Sequence, residues 1–186
     1  MNTDSLDHIR QVRKEAELLC NSEQVHQALD EMAVEIKKHL EDTNPLCLCV
    51  MTGGVVTTGH LLTRLDFPLQ LDYIHATRYQ GGTQGKDLEW VKKPAFSLID
   101  RTILLIDDIL DEGLTMGILS EYCEQAGAKE ILTAVLVEKD RERAPGGLEK
   151  ATFTGLYIPD RYVFGYGLDY HGYLRNADGI YAVKGL

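Results

Sequence analysis

The chain has 186 residues, 44% apolar and 26% charged, which suits one globular α/β domain large enough to bury a proper core. A formal net charge of −10 argues against nucleic acid or an anionic membrane as the main partner. No apolar run approaches the roughly 18 residues that would span a bilayer. Met1-Asn2-Thr3-Asp4-Ser5 shows neither a basic nor an apolar signal region, and Cys20, Cys47, Cys49 and Cys123 lack the paired spacing of a zinc site. Free thiols and a cytoplasmic location are therefore expected.

Leu6 to Leu19 places Ile9, Val12, Ala16 and Leu19 near helical spacing and predicts a first helix. Asn21, with Gln24 three residues on, has the form of a capping box. Val25, Ala28, Leu29, Met32, Ile36 and Leu40 then recur at spacings of three and four, the pattern of a strongly amphipathic helix. Asn44-Pro45 ends that region. Leu46 to Met51 reads as a buried strand, with Cys47 and Cys49 on one face. Thr52-Gly53-Gly54 turns the chain, and Thr58 to Leu65 reads as a helix.

Leu69 to Ala76 alternates enough to be a strand. Residues 77–87, Thr-Arg-Tyr-Gln-Gly-Gly-Thr-Gln-Gly-Lys-Asp, are too long for a simple turn, and a loop of this length in a compact domain is usually functional or disordered. Glu89 to Lys92 and Ala95 to Leu98 predict a return strand.

Ile103 to Ile106 reads as a strand covered on both faces, stopped at its carboxyl end by Asp107 and Asp108. A short acidic loop follows, then a helix from Met116 to Ala126, with Gly127 where a left-handed cap belongs. Loop and helix-start amides, with the Thr115 hydroxyl, are suited to hold a phosphate. The loop lacks the glycine spacing and lysine of a nucleotide P-loop. The acids need tasks of their own: Asp107 and Asp108 suit sugar hydroxyls or a hydrated Mg²⁺, and Asp111 suits a proton acceptor. A phosphorylated sugar meets all three demands.

Glu130 to Val137 predicts another buried strand, with Lys139 at its carboxyl end, on the same edge as Asp107. Residues 141–150 form a polar loop and Thr152 to Ile158 a strand. Pro159 to Tyr170 is dense in aromatics and glycines.

Asp107-Asp108-Ile109-Leu110-Asp111-Glu112-Gly113-Leu114-Thr115 resembles the phosphoribosyl-pyrophosphate signature of type I phosphoribosyltransferases. Lys139 and the segment from Tyr162 to Asp169 narrow the resemblance to hypoxanthine–guanine phosphoribosyltransferases, over about Val50 to Val183. The resemblance implies that Asp111 takes the purine N7 proton, and that Asp107 and Asp108 secure the ribose hydroxyls and their Mg²⁺. Glu112, Gly113, Leu114 and Thr115 would complete the 5′-phosphate loop. Thr52 and Gly53 would bind pyrophosphate through backbone amides, often with a cis peptide, here between Met51 and Thr52. Many members carry Lys or Arg where this chain has Thr52. Arg78 and Tyr79 would belong to a mobile lid over a reactive sugar cation. Lys139 would donate to O6 of the base, Tyr162 would stack on it, and Val163 would bond its edge through the backbone. Asp169 would hold a Mg²⁺ on the pyrophosphate, and Arg175 would contact the pyrophosphate itself.

The expectation is thus an α/β protein with a mostly parallel sheet flanked by helices: a core over about residues 20–160 and a small hood mainly over 161–186, to which the N-terminal helix is a candidate addition. The expected reaction joins phosphoribosyl pyrophosphate to a 6-oxopurine, with Mg²⁺ as cofactor, no nucleic-acid or membrane partner, and two or four copies in the assembly. The alternatives are a ligand-sensing regulator of the same fold, transfer to another base such as xanthine, and a helical D-D-x-x-D enzyme.

Overall fold

The computed structural model describes residues 5–78 and 88–186. Its helices are α1 (Leu6–Glu15), α2 (Ser22–Leu40), α3 (Gly54–Leu62) and α4 (Leu114–Gln125). Its strands are β1 (Glu17–Cys20), β2 (Leu46–Val50), β3 (Gln70–Arg78), β4 (Leu88–Lys92), β5 (Thr102–Leu110), β6 (Glu130–Asp140), β7 (Phe153–Pro159), β8 (Val163–Phe164) and β9 (Ile180–Ala182).

The larger sheet has the order β4-β3-β2-β5-β6-β7, parallel throughout except for the antiparallel edge strand β4. Alternation along β5 assigns its two faces. Ile103 and Leu105 pack with Leu46, Leu48 and Val135 against Met116, Leu119 and Cys123 of α4. Leu104 and Ile106 pack with Cys47, Ala134 and Leu136 against α2 and Leu61 of α3. Both faces are thus covered, as a parallel sheet requires. Adjacent strands β2 and β5 send their connections to opposite faces, which opens a crevice at their carboxyl ends, where such sheets bind ligands.

The smaller sheet has the order β1-β9-β8, all antiparallel. Ile9 of α1 packs there with Phe164, Tyr170, Ala177 and Val183 in a cluster separate from the main core.

Four sequence expectations need correction. The first helix stops at Glu15, and Leu18, Leu19 and Cys20 lie in a strand, because β9 satisfies their backbone in an antiparallel ladder. The third helix begins at Gly54 instead of Thr58: a Cβ on Gly54 would lie 2.5 Å from the Ile106 carbonyl oxygen, so close packing on β5 selects a poor helix former. Ala95 to Leu98 is not a strand; the Asp72 carboxylate accepts the amides of Ala95 and Phe96 at 2.5 and 3.2 Å and holds the segment as a loop. Asp107 and Asp108 do not end β5, which runs to Leu110, because β6 goes on pairing with it after β2 has ended at Val50. The capping box at Asn21 and the left-handed Gly127 are present as expected.

Candidate functional site

A cavity of about 380 Å³ opens at the carboxyl ends of β2, β5 and β6, within the usual size range of small-molecule sites. Gly53, Asp107, Asp108, Asp111, Thr115 and Lys139 line one side. Tyr162, Val163, Asp169 and Arg175 line the other. Thr52, Glu112, Gly113 and Leu114 flank the cavity on the same two loops. Arg78 ends β3, and Tyr79 and the expected lid through Asp87 lie outside the described residues.

The paired acids sit where β5 outruns β2. Both are buried, and the Asp108 amide donates to Asp107 Oδ1 at 2.8 Å. Burial pushes the Asp107 carboxyl well above the usual carboxylate range, and the neighbouring Asp108 charge pushes it further. Burial also raises Asp108, with hydrogen bonding to Asp107 and the Arg175 guanidinium acting against it. Arg175 Nη1 lies 3.8 Å from Asp108 Oδ2, an incomplete offset for two carboxylates. This donor set fits a divalent cation. Among the described residues no three metal-ligating side chains converge. A bound Mg²⁺ would therefore take its remaining oxygens from substrate and water, its usual habit.

The Thr52–Gly53 loop meets these acids directly. Met51–Thr52 is a cis peptide bond, as the family resemblance implied. A Cβ on Gly53 would collide with the Asp108 carboxylate, so glycine lets the loop lie against it with the carboxylate undisturbed.

The acidic loop after β5 is held from beneath. Gly113 caps α4 at a φ of +78°, and its carbonyl accepts the amides of Gly117 and Leu148 at 2.9 and 3.0 Å. Arg143 donates to the backbone carbonyls of Asp111 and Lys139 at 2.8 and 2.9 Å and pairs with Glu138 at 2.9 Å in the interior. The Asp111 side chain is not free. Lys139 Nζ reaches its Oδ2 at 3.1 Å and Arg141 Nη1 its Oδ1 at 3.0 Å. Asp160 lies 3.3 Å from Lys139 and 3.5 Å from Arg141, closing a ring of two acids and two bases.

At the other wall Tyr162 leaves much of its ring exposed and meets Tyr170 edge-on at 5.6 Å. Val163 pairs with Ala182, and the Val183 amide donates to the Tyr162 carbonyl at 2.8 Å, so β9 holds this segment in place. Asp169 and Arg175 form an ion pair at 2.7 Å.

The sequence reading did not single out Arg141, Arg143 or Asp160. Arg141 and Arg143 lie in what reads as an ordinary polar loop, and Asp160 in the aromatic and glycine-rich segment after it. The one available signal was position: Arg141 and Arg143 follow Lys139 at intervals of two, immediately past a core strand.

A model of the phosphoribosyl transferase domain matches residues 18–171. The chain belongs to the phosphoribosyl transferase family. It is 31% identical over 167 residues to a hypoxanthine-guanine-xanthine phosphoribosyltransferase of Tritrichomonas foetus, covering 90% of this chain and 91% of that one. It is 32% identical over 171 residues to a hypoxanthine-guanine phosphoribosyltransferase of Bacillus subtilis, covering 90% and 92%. Among solved structures, a hypoxanthine phosphoribosyltransferase from Staphylococcus aureus superposes with a TM-score of 0.85 at 26% identity, covering 98% of this chain and 97% of that one. Among the described residues no helix is long and apolar enough to cross a membrane.

Proposed function

We propose that this phosphoribosyltransferase moves the 5-phosphoribosyl group of phosphoribosyl pyrophosphate onto hypoxanthine and guanine, releasing inosine or guanosine monophosphate and pyrophosphate in cytoplasmic purine salvage. The observation that carries the reading is the contact between Lys139 and Asp111 in a cavity that the exposed Tyr162 ring also lines. A planar base there meets an ammonium, a carboxylate and an aromatic face. An ammonium is a donor only, so it suits a 6-oxo group and not a 6-amino group. The names of the relatives agree with that choice.

In this reading the loop from Asp111 to Thr115 and the first turn of α4 hold the 5′-phosphate through backbone amides and the Thr115 hydroxyl. Asp107 and Asp108 hold the ribose hydroxyls. Gly53 and Arg175 receive the pyrophosphate, with Asp169 keeping the Arg175 fork oriented. When bound at the acids, Mg²⁺ would neutralise charge on the diphosphate leaving group. As the bond from the anomeric carbon to pyrophosphate lengthens, positive charge gathers on the ribose ring. The Asp111 carboxylate accepts the N7 proton of the base while the new carbon–nitrogen bond forms, and its charge suits the ribose cation nearby. The smaller sheet, with α1 and residues 161–186, serves as the hood over the base. Two or four copies form the assembly.

The test is pyrophosphate release with phosphoribosyl pyrophosphate, Mg²⁺ and each of hypoxanthine, guanine, xanthine and adenine. Turnover with hypoxanthine or guanine and not adenine supports the assignment. Turnover with adenine overturns the role of Lys139. Silence with all four purines overturns the enzymatic reading in favour of a ligand-sensing protein.

A further inference from the structure

Tyr166 occupies a conformation that tyrosine rarely adopts. Its φ is +50°, between Gly165 and Gly167, each at +108°. A non-glycine residue in the left-handed region costs on the order of 1 kcal/mol or more, and glycine is the usual occupant. What a glycine would lack is the side chain, and that side chain is fully engaged. Its ring is buried, and its hydroxyl shares hydrogen bonds with Ser22 Oγ at 2.9 Å and His26 Nε2 at 3.0 Å, both from the start of α2. The ring stands edge-on to His26, centroids 6.1 Å apart, and lies against His60 of α3 at 5.4 Å. Residue 166 is thus pinned by two helices of the main core.

The next residue carries that hold to the site. The Gly167 amide donates to the Arg175 carbonyl at 3.0 Å, and the Gly167 carbonyl accepts from Arg175 Nη1 at 2.5 Å. A Cβ on Gly167 would lie 2.3 Å from the Gly53 carbonyl oxygen. Gly167 is therefore seated between the Thr52–Gly53 loop and Arg175, and Arg175 reaches on to Asp169 and Asp108.

We propose that Tyr166 is a positioning residue for the pyrophosphate end of the site: its hydroxyl, held by Ser22 and His26, sets the place of Gly167, and through Gly167 that of Arg175 beside the Thr52–Gly53 loop. The inference rests on the functional reading above. It assigns the start of α2, which lies outside the cavity, a part in binding phosphoribosyl pyrophosphate and none in binding the base.

The experiment compares the wild type with Tyr166→Phe, His26→Leu, His26→Gln and the Tyr166→Phe/His26→Leu double variant. Calorimetry gives the affinity for phosphoribosyl pyrophosphate with Mg²⁺, and turnover gives KM for phosphoribosyl pyrophosphate and hypoxanthine separately. Removing the hydroxyl is expected to weaken phosphoribosyl pyrophosphate about five- to tenfold by both readouts, the scale of one hydrogen bond, and to leave KM for hypoxanthine unchanged. His26→Leu, which leaves the Ser22 contact, should weaken it by a smaller factor, and His26→Gln, which offers both donor and acceptor, should restore most of the affinity. The double variant should be no worse than Tyr166→Phe, since that change already removes the hydroxyl His26 holds. Unchanged phosphoribosyl pyrophosphate affinity in Tyr166→Phe, whatever its melting temperature, would leave Tyr166 a packing residue and overturn the inference. An equal rise in both KM values would overturn it as well. A wild type that neither binds nor turns over phosphoribosyl pyrophosphate would bring down the functional reading and this inference with it; an active wild type confines any failure to the inference.

Discussion

Lys139 Nζ lies 3.1 Å from Asp111 Oδ2, which ties the end of β6 to the loop after β5 through the two side chains that face the base in the proposed reaction. One ammonium thus serves two acceptors, the carboxylate and the base. Lys139→Gln should lower kcat/KM for hypoxanthine by about 10- to 100-fold, the range for a lost charged hydrogen bond. It should also narrow the preference over adenine, because an amide oxygen accepts from a 6-amino group. Kinetics with both bases check the two outcomes together.

Asp111→Asn keeps the size of the side chain and removes its capacity to accept a proton. Turnover should fall by about a hundred- to ten-thousandfold, the usual contribution of a general base. The amide oxygen can still accept from one of Lys139 and Arg141, and Asp160 still pairs with both, so the circular dichroism spectrum should be unchanged and the melting temperature should fall only modestly. A rate equal to the wild type would remove Asp111 from the reaction.

The Asp107–Asp108 pair is costly to the ligand-free fold. The Asp107 carboxyl is raised by burial and then by its neighbour's charge, so the folded state holds its proton more tightly than the unfolded chain does. The contribution of this group to stability is fully present below the ordinary aspartate pKa and is lost as pH rises through the raised value. Asp107→Asn should therefore raise the melting temperature of the ligand-free protein at neutral pH, and the gain over wild type should shrink as the pH is lowered. The same substitution should weaken the stabilisation that Mg²⁺ and phosphoribosyl pyrophosphate confer. Melting curves across pH, with and without both ligands, measure each part.

Arg143 and Glu138 form an ion pair whose side chains are only 5% and 7% exposed. Removing one partner leaves the other charged in the interior, a loss of about 3–5 kcal/mol. Arg143→Met should lower the urea midpoint accordingly. Because Arg143 also holds the Asp111 and Lys139 carbonyls, activity should drop in the fraction that remains folded.

The core was legible because its periodicities are strong. Val25 to Leu40 and Ile103 to Ile106 announce a helix and a doubly covered strand, and both are present. Short elements were not legible in the same way. Leu18-Leu19-Cys20 becomes a strand only because β9, about 160 residues later, supplies its partner, and no local pattern reports that. The acids and Lys139 could be singled out by their place at strand ends. That Asp111 is held on both oxygens could not, since Arg141 reaches its second oxygen from a segment that reads as an ordinary polar loop. Tyr166 was hidden differently: between two glycines it reads as one more aromatic, and its left-handed backbone shows only in three dimensions.

The pairing of β1 with β9 has a consequence for how the protein is made. Every strand of the larger sheet lies within residues 46–159, so that sheet and its acidic loop have their full complement of strands before the last part of the chain leaves the ribosome. The segment around Tyr162 and Val163 has no such independence. It pairs with β9, residues 180–182, and β9 in turn bridges it to β1. A nascent chain halted near residue 160 would thus own the phosphate loop and lack the wall that meets the base. In the proposed reaction, the aromatic face for the base is, in this order of synthesis, among the last parts the molecule acquires, after the Lys139 that selects it.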